Sequence, residues 1–513
     1  MTHRVEERAA YLIASSHLDV QWLWTIQDSI RCYIPATIEM NCDLIERYLD
    51  RPDGQGYVFS FEGAFRYMLA KEYFPALYER LRRVIRDTGR WHLAGGAVVA
   101  SDVAVPSPEA LIRQLLYGNG FFKREFGRKS VDVFLPDCFG FPHSLPSIAA
   151  HCGRIGFSTQ KLTWEIAQNR DGGDVPKNYV PFDVEEWIGP DGASILAALQ
   201  PGPYEKEVPK ILPDGLRPTV RQTLQQHDGE GHPWPYVKGP WAKRLSERID
   251  ATGIGATFCY FGIGDQGGSP GETSVANVID SAGQSEPFLV RNTGSGDFFT
   301  MLKDDSERRA ALPRVDAEHL MAVHGTGCYT SETAMKRWNR MNEQLGDAAE
   351  RAAVQADWLG GLRYPHETLQ DAWIRFLAHQ FHDDLTGTSI PDVYPFSWND
   401  EVLALNRFSS VLESSVGAVA RSLDTTSEGI SVVVYNPLSI ARTDVVEAVL
   451  LFPDSPPESV RVVGPDEAEA LSQCHVEQIG GKTVHKVLFV ASVPAVGFAV
   501  YDVRPSSTPC DTP

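Results

Sequence analysis

Four short apolar runs in the first part of the chain constrain its fold more than any other feature. They are YLIAS (11–15), AVVAS (97–101), VDVFL (131–135) and TFCYFGI (257–263), and amphipathic segments separate them. Runs of this length suit strands that are buried on both faces, and strands that alternate with helices are typical of a mainly parallel sheet. The sequence therefore predicts an α/β domain over residues 1–298, which we take to be barrel-like.

The rest of the chain predicts two further domains. Long helical periods, beginning with TSETAMKRWNRMNEQL, favour a three-helix bundle over residues 317–425. Strand-like runs such as SVVVYNPL and GFAVYDV alternate with turn residues and favour a partial β-sandwich over 428–505. Residues 506–513 have the composition of a disordered tail, and the proline-rich segment 201–240 that of an irregular surface insertion. We therefore expect a multidomain chain.

Charge and hydropathy exclude two classes of partner. The chain has 47 Lys and Arg against 67 Asp and Glu, a net charge of −20, which repels phosphate backbones and anionic lipids. No stretch approaches the roughly 18 apolar residues of a membrane span, and the amino terminus lacks the apolar core of a signal peptide. Eight cysteines without a CxxC pair indicate neither a disulfide framework nor a thiolate zinc site. We expect a soluble, cytoplasmic protein that binds neither nucleic acid nor membrane.

Polar side chains follow three of the predicted strands. SSHLDVQWLW places His17 and Asp19 two residues apart, and so on one side of an extended chain. LPDCFGFP places Asp137 in a loop, and FGIGDQGG places Asp265 in a glycine-rich turn. Because catalytic groups gather at the carboxyl ends of strands in α/β barrels and open sheets, these residues can converge.

Each of these features also has a simpler explanation. A His-x-Asp pair after a strand is often a helix-capping or a surface pair, and a single Asp after a strand, such as Asp137 or Asp265, commonly caps the next helix. His382 in FLAHQFHDDLTGTS ends a helical run, where the helix dipole favours an imidazolium without any catalytic purpose. Only the joint occurrence of these residues is unusual, and it names no substrate.

Several long segments resemble the signatures of glycoside hydrolase family 38, the metal-dependent retaining α-mannosidases. They are SSHLDVQWLW, LPDCFGFPHSLP followed by STQKLTW, FGIGDQGG and QFHDDLTGTS, in this order. Further segments, HGTGCYTSETAMKRWNR and VVVYNPLSIARTDVVEAVL among them, extend the resemblance over nearly the whole chain. It implies hydrolysis of terminal α-mannosidic bonds in an α-mannoside or oligosaccharide, through a covalent glycosyl-enzyme.

The resemblance also implies roles for individual residues. One zinc ion per chain, or another divalent metal, would be held by His17, Asp19, Asp137 and His382. Asp137 would also be the nucleophile, and Asp265 the acid that protonates the leaving oxygen and then the base. Trp22 would lie under the sugar, Asp383 would hydrogen-bond its hydroxyls, and Asp102 would be a further pocket carboxylate. If the enzyme is retaining, the two catalytic carboxyl groups should lie roughly 5 to 5.5 Å apart, or somewhat more where a metal intervenes.

Two other functions fit the same residues. A metal-dependent hydrolase of the polysaccharide deacetylase type also uses a His/Asp site after a strand, and a catalytically idle carbohydrate-binding protein would keep the pocket without turnover.

Members of the resembled family usually continue well beyond the first β-module, whereas this chain stops at Pro513. We therefore expect apolar surface on the barrel and the helical domain, which favours association into a homo-oligomer.

Overall fold

The computed structural model describes residues 8–52, 55–162, 183–201, 241–282, 288–320, 325–452 and 456–510. It forms two compact units, one of Met1–Arg340 with Ile374–Val402 and the other of Met341–Trp373 with Leu403–Pro513. The surface insertion predicted at 201–240 lies outside the described residues except for its first residue.

The first unit carries twelve of the described strands. They are β1 (Ala9–Ser16), β2 (Phe59–Glu62), β3 (Trp91–Ala94), β4 (Asp132–Phe134), β5 (Gly140–Phe141), β6 (Gly156–Ser158), β7 (Val184–Ile188), β8 (Ser194–Ala198), β9 (Ala256–Ile263), β10 (Leu289–Asn292), β11 (Arg314–Val315) and β12 (His319–Leu320). Helices between and after these strands are α1 (Ile26–Asp28), α2 (Ile34–Arg47), α3 (Ala64–Tyr73), α4 (Pro75–Thr88), α5 (Pro108–Phe126), α6 (Leu145–His151), α7 (Trp241–Ala251), α8 (Glu272–Ser281), α9 (Ser295–Asp304), α10 (Ser306–Ala310) and α11 (Gly325–Cys328). A π-helical stretch, Ser29–Tyr33, joins α1 to α2. The α/β content predicted for this part of the chain is confirmed.

Strand β1 lies at the centre of a fully parallel sheet. It pairs with β9 along its whole length, from Ala9↔Ala256 to Ser16↔Ile263, and with β10 and β2 on its other side, while β3 follows β2. All residues of β1 and β9 are buried, which explains why both read as continuous apolar runs. Because the two strands are parallel and in register, the loops after Ser16 and Ile263 leave the same edge of the sheet.

A second sheet has the strand order β11-β7-β8-β6-β4. Strands β4, β6 and β8 are parallel, and β7 runs antiparallel to β8. Aromatic side chains including Phe134, Phe258, Tyr260 and Phe298 fill the core beside these sheets. In the described part of the chain the two sheets are separate ladders, so a closed barrel stays a prediction.

The apolar run 97–101 was expected to be a strand, and this expectation is wrong. Strand β3 ends at Ala94, and the chain turns at Gly95 and Gly96, whose φ angles are 75° and 65°. A Cβ at Gly96 would lie 2.3 Å from Nδ2 of Asn119. The run is apolar because it is a buried loop that packs under α5.

Four helices follow, namely α12 (Thr333–Trp358), α13 (His366–Ala378), the short α14 (His382–Leu385) and α15 (Tyr394–Ala420), with a 3-10 turn at Pro391–Val393. In the second unit, a Cβ at Gly346 would lie 2.9 Å from Trp373 and 3.2 Å from Phe408, so α12, α13 and α15 pack together there. Among the described residues, no helix is long and apolar enough to cross a membrane.

The described part of the second unit ends in the strands β13 (Ile430–Asn436), β14 (Arg442–Leu450), β15 (Ser459–Val463), β16 (Glu469–Ala470), β17 (Ser472–Ile479), β18 (Lys482–Val493) and β19 (Gly497–Ser506). They form two antiparallel sheets, with the strand orders β13-β19-β15-β16 and β14-β18-β17. Val462, Phe489 and Tyr501 lie in their shared core, as in a β-sandwich. Strand β19 reaches the first residue of the predicted tail, and residues 511–513 lie outside the described part, so the domain boundaries and the tail stay predictions.

Candidate functional site

The carboxyl end of β1 leads directly into the candidate site. His17 and Asp19 follow the strand, and both side chains are buried. The backbone N–H of His17 donates to Ile263, and that of Asp19 donates to the carbonyl of Asp265 at 2.7 Å. The parallel pairing of β1 with β9 therefore brings the loop that carries Asp265 against the loop that carries His17 and Asp19.

Three side chains form a cluster that could hold a metal ion. Nε2 of His17 lies 2.8 Å from Oδ1 of Asp19, and Nε2 of His382 lies 3.4 Å from the same oxygen. All three ligand atoms lie within 4.8 Å of one another. Oδ1 of Asp19 and Nε2 of His382 are buried and make no hydrogen bond within the described part of the chain. Buried polar atoms are normally satisfied, so their convergence fits a cation, and imidazole with carboxylate suits zinc.

Both imidazole rings are oriented from behind the cluster. Nδ1 of His17 lies 2.8 Å from Oε1 of Glu62, and Nδ1 of His382 lies 2.9 Å from the carbonyl of Ala100. A carbonyl only accepts hydrogen bonds, so Nδ1 of His382 carries a proton and Nε2 faces the cluster. Burial alone would lower the pKa of His17, but Asp19 and Glu62 outweigh it and raise that pKa to about 9. The raised pKa means that His17 holds a proton on Nε2 as well as on Nδ1 when no metal is bound. A cation at the cluster would replace the proton on Nε2 of His17.

Asp137 lies beside this cluster and also forms an ion pair with a lysine. Its Oδ2 is 3.6 Å from Nε2 of His382, and its Oδ1 is 2.6 Å from Nζ of Lys161. Burial would raise the pKa of Asp137, but the Lys161 ammonium and the His382 ring hold it well below the ordinary range. The carboxylate is therefore ionised and adjacent to the three clustered ligand atoms.

A further acidic residue, Asp383, adjoins the cluster. Asp383 has Oδ2 3.5 Å from Nε2 of His382, and the hydroxyl of Thr388 donates to its Oδ1. Burial and the negative charges of Asp19 and Asp137 raise the pKa of Asp383 to about 7 against the lowering effect of His382.

Asp102 is committed to local hydrogen bonds. It accepts from the backbone N–H groups of Ala104 and Val105 and from the hydroxyl of Tyr329 at 3.1 Å. Burial raises the pKa of Asp102. This carboxylate therefore closes a turn and holds Tyr329.

Trp22 and Asp265 are half-buried at the same edge. The carbonyl of Trp22 accepts from the N–H of Ile390, which ties it to the segment after α14. Asp265 has a φ of 57°, an uncommon conformation for a residue other than glycine. Such conformations concentrate at functional sites.

The simpler explanations of these residues fail. The helices after Asp19, Asp137 and Asp265 have Thr25, Ser144 and Gly271 at their N-cap positions. His382 does not end a helix: α13 ends at Ala378, and His382 is the first residue of α14. The dipole of a preceding helix therefore does not account for it.

Sequence reasoning missed two residues of the site. Lys161 lies within the motif STQKLTW, where no role was assigned to it, and a lysine in an acidic site was the available signal. Glu62 is the last residue of the buried strand β2, and an acidic residue at a strand's carboxyl end is the signal that singled out Asp19.

Two known protein families match parts of this chain. Residues 7–310 match the glycosyl hydrolases family 38 N-terminal domain, and residues 323–418 match the alpha mannosidase middle domain. The larger part of the chain is thus a glycosyl hydrolase domain. Since the first match covers more than half of the chain, the chain belongs to glycoside hydrolase family 38.

Curated relatives carry the name alpha-mannosidase. Alpha-mannosidase 2C1 of Mus musculus is 27% identical over 385 residues, which are 75% of this chain and 32% of the relative. Alpha-mannosidase G of Dictyostelium discoideum is 28% identical over 390 residues, 75% of this chain and 31% of the relative. This chain spans about a third of the length of these two relatives.

A solved structure shows the same fold. The crystal structure of an alpha-mannosidase from Enterococcus faecalis superposes with a TM-score of 0.71 at 15% identity, over 99% of this chain and 57% of that one. At this identity the similarity establishes a shared fold.

Proposed function

We propose that this chain is a metal-dependent retaining α-mannosidase that hydrolyses terminal α-mannosidic bonds through a covalent glycosyl-enzyme. The observation that carries the proposal is the buried cluster of His17, Asp19 and His382 with the ionised Asp137 beside it, in a chain of family 38. A metal site adjoining an ionised carboxylate provides two of the groups that this reaction requires, and Asp265 would provide the third, the acid.

The residues fit a divalent ion, which we propose to be one zinc per chain. His17, Asp19 and His382 would hold it with Asp137 as the fourth ligand, a donor set of nitrogen and carboxylate oxygen that also accepts other divalent metals. When bound, the ion would supply Lewis acidity toward the hydroxyls of the sugar.

In the first half of the reaction, Asp137 attacks the anomeric carbon. A glycosyl ester forms as the bond to the leaving oxygen breaks, and Asp265 gives its proton to that oxygen. The lowered pKa of Asp137 keeps the nucleophile ionised. In the second half, water attacks the same carbon, its proton passes to Asp265, and the bond to Asp137 breaks.

Three other residues would bind the sugar. Asp383, with its pKa raised to about 7, accepts or donates hydrogen bonds to hydroxyls. Trp22 offers a half-buried aromatic face under the ring. Asp102 would be a further carboxylate of the pocket, and it accepts a hydrogen bond from the hydroxyl of Tyr329.

Trapping the glycosyl ester tests the proposal. The protein is incubated with a fluorinated mannosyl fluoride and digested, and the modified peptide is identified by mass spectrometry, with D137N as the control. An ester on Asp137, together with metal-dependent hydrolysis of an aryl α-mannoside, is the expected result. Hydrolysis without an ester would overturn the retaining mechanism, and sugar binding without turnover would indicate a carbohydrate-binding protein.

A further inference from the structure

One buried arginine, Arg66, contacts residues that adjoin or hydrogen-bond the three clustered ligands. Arg66 lies on α3 and is fully buried. Its Nε donates to the carbonyl of Leu18 at 2.7 Å, and Nη2 donates to the same oxygen. Its Nη2 also lies 3.5 Å from Oε1 of Glu62. The guanidinium therefore binds both a backbone carbonyl and a carboxylate.

The residues that Arg66 contacts are bonded to the proposed metal ligands, either through the backbone or through a hydrogen bond. Leu18 is the residue between His17 and Asp19, so holding its carbonyl restricts the orientation of the peptides that carry both side chains. Oε1 of Glu62 accepts the hydrogen bond from Nδ1 of His17 at 2.8 Å.

The third contact is aromatic. The guanidinium carbon of Arg66 lies 6.0 Å from the ring centre of Phe381, which directly precedes His382. It lies 5.8 Å from the ring centre of Phe61, the neighbour of Glu62. These distances are within reach of a cation–π interaction, which helps to offset the cost of burying the charge.

The local sequence makes room for this arginine. Gly63 follows Glu62 with a φ of 78°, and a Cβ at that position would lie 2.3 Å from Nη1 of Arg66. Nη1 in turn donates to the carbonyl of Glu62 at 3.0 Å. The segment Glu62–Gly63 thus leaves a space that a guanidinium fills.

We propose that Arg66 and Glu62 are positioning residues that preorganise the metal site. Glu62 keeps the proton of His17 on Nδ1 so that Nε2 faces the ion, and Arg66 holds Glu62 and the peptide of Leu18 in place. The inference rests on the proposed function, because it takes His17, Asp19 and His382 as ligands. Groups behind metal ligands commonly contribute 10- to 100-fold in metal affinity.

Metal titration of stripped protein tests this inference. Zinc affinity is measured against a chromophoric chelator for the wild type, R66K, R66M and E62Q, and cobalt(II) absorption reports the coordination geometry. We expect R66M and E62Q to bind zinc about 10- to 100-fold more weakly, with an altered cobalt spectrum. R66K should lose affinity as well, because an ammonium does not reproduce the fork of donors.

Arg90 provides a matched control. It is also buried, donates to the carbonyls of Tyr48 and Arg51, and fills a space beside Gly56, but these partners lie outside the cluster. R90M should lower the thermal midpoint of the metal-free protein and leave zinc affinity unchanged. The E62Q side chain keeps the shape of the original, so this variant remains informative if R66M fails to fold.

The possible results separate the inference from the proposed function. Wild-type affinity and an unchanged cobalt spectrum in E62Q and R66K would overturn the positioning role. A loss no larger than that of R90M at equal destabilisation would also overturn it. If the wild type takes up no metal, or H17A and H382A retain it, the metal site itself is wrong.

Discussion

Nζ of Lys161 lies 2.6 Å from Oδ1 of Asp137, and both side chains are less than one-tenth exposed. Burial by itself lowers the pKa of Lys161, but Asp137 outweighs it and the pKa is raised. The same contact lowers the pKa of Asp137. The proposed nucleophile is therefore held ionised by a fixed side chain as well as by any metal ion.

Removal of the lysine should impair the first half of the reaction. We expect K161M to slow formation of the glycosyl ester by about tenfold or more, because the carboxylate of Asp137 loses the contact that fixes its position for attack. K161R keeps the charge and should retain more activity. The rate of inactivation by the fluorinated mannosyl fluoride measures this step. Equal rates in wild type and K161M would show that the ion pair has no part in it.

Replacing either clustered histidine should remove the metal. Wild-type protein purified without chelator should contain one divalent ion per chain, and H17A and H382A should contain far less, because each loses a ligand atom. H319A is a suitable control, since His319 pairs with Glu185 outside the cluster. Elemental analysis measures the metal content. Full occupancy in both ligand variants would contradict the assignment.

The proposed acid should be needed most for poor leaving groups. D265N is expected to reduce kcat/KM by about 10²- to 10⁴-fold for an unactivated mannoside, while an aryl mannoside with an acidic phenol is partly spared. D137N should abolish turnover of both substrates, because it weakens the nucleophile and a ligand. A series of aryl mannosides of graded phenol acidity measures the dependence. An equal loss across the series would remove Asp265 from this role.

A buried histidine outside the cluster, His379, should make stability depend on pH. Nδ1 of His379 lies 2.7 Å from Asp384 and Nε2 lies 3.4 Å from Asp400. Burial alone would lower the pKa of His379, but these carboxylates raise it to about 10. Because the folded pKa exceeds the unfolded value of about 6.5, the stabilisation is complete below pH 6.5 and is lost as the pH rises toward 10.

H379Q tests this dependence. In metal-free protein, we expect its free energy of unfolding to fall below that of the wild type by about 3–5 kcal/mol at pH 6, and by much less near pH 10. Urea unfolding at a series of pH values measures the difference. H151Q, which removes the exposed pair of His151 with Asp191, should leave stability nearly unchanged at every pH. A difference independent of pH would show that His379 contributes packing alone.

The local sequence pattern was sufficient to predict an element where burial and periodicity decide its structure. Strands β1 and β9 were recognisable because both faces are buried, and His17 and Asp19 share one side of the chain because they are two positions apart. The same reasoning failed at 97–101, where burial comes from a loop under a helix rather than from a sheet. An apolar run indicates burial, but hydrogen-bonding partners decide whether it is a strand.

The sequence by itself determined that the chain has an α/β domain and that His17, Asp19, Asp137 and Asp265 follow strands, and its motifs indicated the family. Only the tertiary structure decided that Glu62 orients His17, that Arg66 holds the Leu18 carbonyl, and that Lys161 pairs with Asp137. These pairs join residues from separate elements, and no local pattern encodes them. Their distances are set by strand register and by the packing of α3 on the sheet, so they exist only once the chain has folded.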